Sequence, residues 1–320
     1  MNHWIIVPVI LPALVAPFIV AAARYDILLQ RVLGIAASAA LLAVTAGLYW
    51  LASDGAVRPY ALGNWPAPFG IILVLDRLSA LMLLLTAVLA VVVVVYAAQG
   101  WDRRGRHFHA LFQFQLMGLN GAFLTGDLFN LFVFFEVLLI ASYGLVLHGA
   151  GARRITAGLR YVAVNLAGST LFLIAVGLLY AVTGTLNMAD LAVRVPLVPV
   201  ADQGLLRLAA ALLLIVFAIK GSLVPLHFWL PGTYGAASPP VAALFAIMTK
   251  VGAYAILRVY VQIFGAGAGA AAWIAQPYIL PAAALTMILG LAGVLAARTL
   301  TALSDRKSTR LNSSHANVSR

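Results

Sequence analysis

The chain has 320 residues, 64% hydrophobic and 9% charged, with a net charge of +11 and no cysteine. Soluble domains carry about 25% charged residues, so apolar windows recurring along this length define a polytopic membrane protein. The lack of cysteine excludes disulfides and Cys-ligated zinc or iron–sulfur clusters in this chain. The arginines sit in short loops between apolar runs, where positive charge sets membrane orientation, so the basic balance does not point to nucleic acid.

The first apolar run, Trp4–Ala23, ends in Ala-Ala-Ala like a signal peptide. It lacks a positive leading region and holds Pro8, Pro12 and Pro17, so it reads as a retained span. A second span is expected over Val32–Leu51. The Pro/Gly-rich loop SDGAVRPYALGNWPAPFG follows, with Tyr60 and Trp65 suited to an interfacial belt. The third span, Ile71–Ala98, begins with Asp76 and Arg77, which read as interfacial snorkelling residues. After the basic loop QGWDRRGRHFH comes span four, Ala110–Thr125. Asp127 is placed to cap span five, Leu128–His148, whose terminal His148 reads as interfacial.

A second basic loop, GAGARRITAGLR, leads to span six, Tyr161–Thr183, where Asn165, Ser169 and Thr170 are expected to bond across helices. Beyond an amphipathic connection lie span seven, Leu205–Leu230, span eight, Pro239–Phe264, and span nine, Trp273–Ala297, with Gly265–Ala271 as a loop. Nine arginines fall in one set of alternate loops (Arg24, Arg31, Arg103, Arg104, Arg106, Arg153, Arg154, Arg160, Arg298) and four on the other side (Arg58, Arg194, Arg207, Arg258). This bias places the N-terminus outside and the basic loops in the cytoplasm. From Ser304 the run SDRKSTRLNSSHANVSR has no apolar pattern and reads as a non-native tail.

The informative charges are those inside spans. The single glutamate is Glu136, within LFNLFVFFEVLLIASYGLV, and before the tail the only lysines are Lys220 and Lys250, each set in an apolar segment. By residue counting each lies about 14–15 Å from an end of its span, near the middle of a hydrocarbon core ~30 Å thick. An ionisable group there costs roughly 3 kcal/mol on insertion scales and is by default a functional hypothesis. Lysine and glutamate can also lose and gain protons when desolvated, whereas arginine cannot. A proton path is one reading; a structural Lys–Glu pair locking helices is the other. Pro225 lacks an N–H for the carbonyl of Gly221, so span seven should break just beyond Lys220. Broken helices beside an intramembrane charge are a feature of transporters. His227, seven residues after Lys220, falls nominally on the same face and has the near-neutral titration of a proton shuttle; a hydrogen-bonded structural histidine fits equally well. No phosphate-binding loop, dinucleotide fingerprint or metal-ligand cluster is present, so no cofactor is expected.

The segments LFNLFVFFEVLLIASYGLV, NLAGSTLFLIAVGLLYAVTGTLNMADLA and AIKGSLVPLHFWLPGTYGAASPPVAALFAIMTKVGAYAILRVY resemble the antiporter-like proton-translocating subunits. That family spans respiratory complex I, membrane-bound hydrogenases and the multisubunit Mrp/Pha cation/proton antiporters. The opening, through YALGNWPAPFGIILVLDRLSALMLLL, looks most like the D-type subunits of the Mrp/Pha antiporters. The similarity covers 1–303. It implies an all-α polytopic membrane helix bundle with about nine transmembrane helices of an expected fourteen and a broken seventh helix. The implied regions are an N-terminal three-helix region at 1–110, a first antiporter-like repeat (helices 4–8) at 111–264, the start of a second repeat at 265–303, and the tail at 304–320.

By the resemblance, Glu136 matches the family's glutamate on the fifth helix, Lys220 the lysine on the broken seventh, Lys250 that on the eighth, and His227 the histidine of the P-x-H-x-W-L-P segment. Gly232 departs from the pattern, since many members are acidic after W-L-P, and the outlet half of the path lies beyond the nine helices. The implied function is a secondary-transporter subunit for proton exchange against Na+ or K+, partnered by other membrane subunits and the lipid bilayer of a bacterial inner membrane. The alternative is the homologous pump subunit of an NADH–quinone oxidoreductase or hydrogenase complex.

Overall fold

The structure, a computed structural model, describes residues 2–149 and 151–295. Among these, seven helices are long and apolar enough to cross a membrane. Helices of 16 and 17 residues stand at the positions of spans one and four. Contacts divide the chain into two units, Met1–Ala152 with Ser238–Leu244, and Arg153–Ala237 with the chain from Phe245 onward.

The first unit holds α1 (Val7–Ala22), α2 (Ile27–Leu51), α3 (Arg77–Ala97), α4 (Phe108–Leu124) and α5 (Leu128–Leu147). Helix α4 lies at the centre of this unit and is buried along most of its length. Glycines admit α5 closely: a Cβ at Gly118 would meet Leu138, and one at Gly121 would meet the Phe134 ring. The prolines of α1 free backbone carbonyls, because Pro12 has no N–H for the carbonyl of Pro8. Asn120 of α4 supplies the missing donor, its Nδ2 bonding Pro8 O at 2.8 Å. A buried polar group in α4 thus satisfies a carbonyl that could find no water in hydrocarbon.

Three features of this unit differ from the sequence reading. Ile72–Leu75 forms a strand rather than the start of a helix, pairing antiparallel with Arg58–Ala61. This small hairpin is tied to the turn before α5 by a bond from Gly126 N–H to Ile72 O at 2.8 Å, and it qualifies the all-α expectation. Helix α3 begins only at Arg77, because Asp76 forms a reciprocal capping box with Ser79. Asp76 is therefore a cap and not a snorkelling residue, while Arg77 donates to Ser53 O at 2.8 Å. His148 is buried at the end of α5 and bonds Trp101 O at 2.9 Å, where an interfacial residue was expected. Asp127 caps α5 as its position predicted, accepting from Asn130 N–H.

The basic loop after α3 is anchored by a buried acid. Asp102 accepts Arg31 Nε at 2.6 Å and Nη2 at 2.8 Å, and His109 Nε2 lies 3.1 Å from the same carboxylate. Burial pushes the Asp102 carboxyl up, but the hydrogen bonds from Arg31 and His109 outweigh it and hold the group below the usual carboxylate range. Gly34 makes room for the His109 ring, since a Cβ there would stand 2.6 Å from Nδ1. Removing one partner of such a buried pair costs about 3–5 kcal/mol, so α2, α4 and the loop are held as one assembly.

The second unit holds α6 (Ala152–Thr183), α7 (Met188–Arg194), α8 (Gln203–Gly221), α9 (Trp229–Ala236), α10 (Pro239–Leu257, from Phe245 onward) and α11 (Gln276–Leu295). Helix α6 starts nine residues before the expected span because the arginines of the basic loop are strong helix formers. Thr170 bonds Leu166 O within its own helix and does not reach a neighbour. The connection after α6 contains the short helix α7, and α10 runs on into a π-helical segment, Arg258–Ile263. The expected ninth span corresponds to α11; its last residues and the whole polar tail lie outside the described residues.

Span seven is not continuous. Helix α8 stops at Gly221, with Ser222 in the left-handed conformation as its C-cap, and helix resumes only at Trp229. Trp229 Nε1 reaches back to Ile219 O at 3.0 Å, and its indole stacks on the Tyr161 ring at 5.3 Å between centroids. Helices α8 and α10 meet backbone to backbone: a Cβ on Gly252 would stand 2.3 Å from Gly221 N.

That approach requires glycine at 252, where an added Cβ would strike the α8 backbone, and overpacking costs about 1–3 kcal/mol. Gly252→Ala should therefore lower the thermal midpoint of the detergent-solubilised protein by several degrees. Gly232→Ala, on α9 where no atom lies within 4 Å of a new Cβ, should leave the midpoint unchanged. Equal midpoints for the two variants would contradict the close helix contact.

Candidate functional site

Lys220 stands in the last turn of α8 and is 5% exposed. The unsatisfied carbonyls of a helix C-terminus carry partial negative charge, so the break presents a seat for a cation. The side chain reaches α6, where Nζ lies 3.4 Å from Asn165 Oδ1 and 3.4 Å from Ser169 Oγ. The amide of Asn165 is oriented by its own helix, Nδ2 donating to Tyr161 O at 2.9 Å, which turns Oδ1 towards the lysine. The lysine stem passes Gly168, where a Cβ would stand 3.9 Å from Cε.

The structure brings the two lysine-bearing helices together. Gly221 follows Lys220 directly, Gly252 is two residues after Lys250, and these glycines form the backbone contact between α8 and α10. Lys250 is half-buried, with Nζ 3.3 Å from Thr249 Oγ1. The break also changes two geometric expectations. Counting ten residues from Leu230 to place Lys220 assumed an unbroken helix, but the helix ends one residue beyond Lys220. His227 cannot share a helical face with Lys220, because it lies in the non-helical link between α8 and α9; it is buried there, its carbonyl accepting Leu230 N–H at 3.0 Å. Pro225 lies in the same link and is exposed.

Glu136 belongs to the first unit, half-buried on α5 nine residues beyond the Asp127 cap. Tyr143 lies two turns further along α5, nominally on the same face. The sequence reading singled out Asn165 and Ser169 as polar residues of a span, but their meeting with Lys220 across 51–55 residues of chain needed the structure. Thr249 and Tyr143 carried no sequence signal, since a lone hydroxyl in an apolar helix commonly bonds its own backbone. Among the described residues no group of three or more His, Asp or Glu side chains could hold a metal ion. The titratable groups at the predicted positions are two amines, an imidazole and a carboxyl.

Comparison with known proteins gives consistent matches. The chain is 48% identical over 305 residues to a D-type subunit of a probable K(+)/H(+) antiporter from Rhizobium meliloti (strain 1021), an alignment that covers 94% of this chain and 57% of that protein. It is 42% identical over 298 residues to the D-type subunit of a Na(+)/H(+) antiporter from Alkalihalophilus pseudofirmus, covering 92% of this chain and 59% of the relative. Among solved structures, the Mrp complex from Dietzia sp. DQ12-45-1b contains a chain that superposes with a TM-score of 0.85 at 32% identity, over 97% of this chain and 57% of that one. The chain thus spans somewhat over half the length of these proteins. The family model described as "NADH:quinone oxidoreductase/Mrp antiporter, TM" matches residues 125–303, which include Glu136, Lys220, His227 and Lys250. With more than half of its length matched, the chain is a membrane protein belonging to the NADH:quinone oxidoreductase/Mrp antiporter family.

Proposed function

We propose that the chain is the proton-translocating subunit of a multisubunit monovalent cation (Na+ or K+)/H+ antiporter, working among other membrane subunits of a bacterial inner-membrane complex. The antiporter names of relatives at 48% and 42% identity support this over the redox-linked alternative. Protons move along Glu136, Lys220 and Lys250, with His227 as a further relay group. The observation that carries the reading is the position of Lys220, a buried lysine at the C-terminal end of a broken helix. A structural strut does not need a break in its own helix. A proton carrier gains from one, because freed backbone at depth can line a hydrated cavity. The oxygens of Asn165 and Ser169 and the α8 carbonyl end stabilise the ammonium, and a second lysine is carried by the contacting helix. Charge coupling between successive groups of the path would let the arrival of one proton drive the departure of another.

Lys220→Arg separates carrier from strut, because a guanidinium keeps its charge but cannot release a proton at any physiological pH. In everted vesicles containing the assembled complex, exchange by Lys220→Arg should fall to the level of Lys220→Ala, with normal assembly in both. Appreciable exchange by the arginine variant would sink the carrier role.

The arginine bias supports a periplasmic N-terminus. The absence of native cysteine permits a direct test with single cysteines at two exposed positions, Val57 and Arg103. In intact spheroplasts Val57→Cys should react with a membrane-impermeant maleimide and Arg103→Cys should not. The reverse pattern would invert the topology.

A further inference from the structure

The seat of Lys220 is made of two different kinds of oxygen. Asn165 Oδ1 can only accept, and its orientation is fixed by the bond from Nδ2 to Tyr161 O. Tyr161 is itself fully buried against Trp229 and Phe245, so this acceptor stands on a rigid support. Ser169 Oγ can accept or donate by rotating its proton. A lysine that carries a proton presents three N–H donors. The same lysine without it presents two donors and a lone pair, which needs a donor when buried. Of the two α6 groups that touch Nζ, Asn165 serves the N–H donors in both states, and only Ser169 can turn to serve the lone pair.

We propose that Ser169 is a positioning residue for proton release: its hydroxyl accepts from the Lys220 ammonium, then rotates to donate to the neutral amine, while Asn165 holds the nitrogen in place throughout. The exchange balances, since Lys220 gives its proton to the neutral amine of Lys250, the next group of the proposed path, and Ser169 gains and loses none. This rests on the reading of Lys220 as a proton carrier. It adds what that reading lacks, a reason why the amine survives in a buried seat after the proton has gone. The titratable side chains on the elements packed about Lys220 in this unit include Tyr161 and Tyr180 of α6, Lys250 and Tyr254 of α10, and His227 and Tyr234 of the link and α9.

The test compares Ser169→Thr, Ser169→Ala and Asn165→Asp with Lys220→Gln, in vesicles holding the assembled complex, with exchange measured from pH 6 to 9. Threonine keeps a hydroxyl able to do both jobs, so Ser169→Thr should exchange within about twofold of the parent. Ser169→Ala keeps the volume but removes the rotor and should lose at least ~10-fold at every pH. Asn165→Asp replaces the neutral acceptor by an anion that retains the ammonium, and should move the pH profile of exchange to higher pH by roughly one unit or more. Exchange by Ser169→Ala at the parental rate with an unshifted profile would overturn the role of the hydroxyl. If that occurs while Lys220→Gln is inactive, the carrier reading stands and only the inference about Ser169 fails. Parental exchange by Lys220→Gln would instead remove the carrier reading, and this inference with it.

Discussion

The structure is governed by a constraint of its solvent: in hydrocarbon, every polar group must find its partner within the protein. The chain meets this in the same way at several places. A proline frees a carbonyl in α1, and Asn120 is there to bond it. A helix ends after Lys220, and the lysine itself lies at the carbonyl end while Trp229 reaches back to Ile219 O. A buried aspartate in the loop after α3 is held by an arginine fork and a histidine. In each case at least one partner comes from a different element, so the irregular feature depends on the tertiary fold.

The same constraint separates structural charges from those offered here as functional ones. Asp102 is doubly satisfied by Arg31 and His109, and its role in anchoring the loop is complete within what it touches. Lys220 is different in kind. Its neighbours on α6 are neutral and accommodating, its helix is interrupted beside it, and a second lysine stands on the helix in glycine contact with its own.

Much of this architecture was legible in the sequence, because long apolar runs and proline are strong signals. The break after Lys220 followed from Pro225 alone, and the α5 cap from Asp127 alone. What was illegible depended on contacts or on short-range ambiguity. The apolar stretch Ile72–Leu75 reads equally as helix or strand until Arg58–Ala61 is seen to pair with it. The Arg31–Asp102–His109 cluster joins Arg31 to Asp102 across 71 residues of chain and has no periodic signature. His227 was misplaced because a seven-residue spacing carries a shared face only along an unbroken helix. Asn165 and Ser169 were visible as polar residues, but their shared target was not.

The central claim is that the ionisable side chains inside the spans move protons rather than brace helices. Glu136 tests it most directly, since it is the only glutamate in the chain and Gln is nearly its isostere. The measurement is proton-coupled cation exchange in vesicles from cells carrying the assembled complex, with assembly checked by native electrophoresis. Glu136→Gln should leave the complex intact and reduce exchange to background. Exchange at the parental rate in an intact complex would contradict the account.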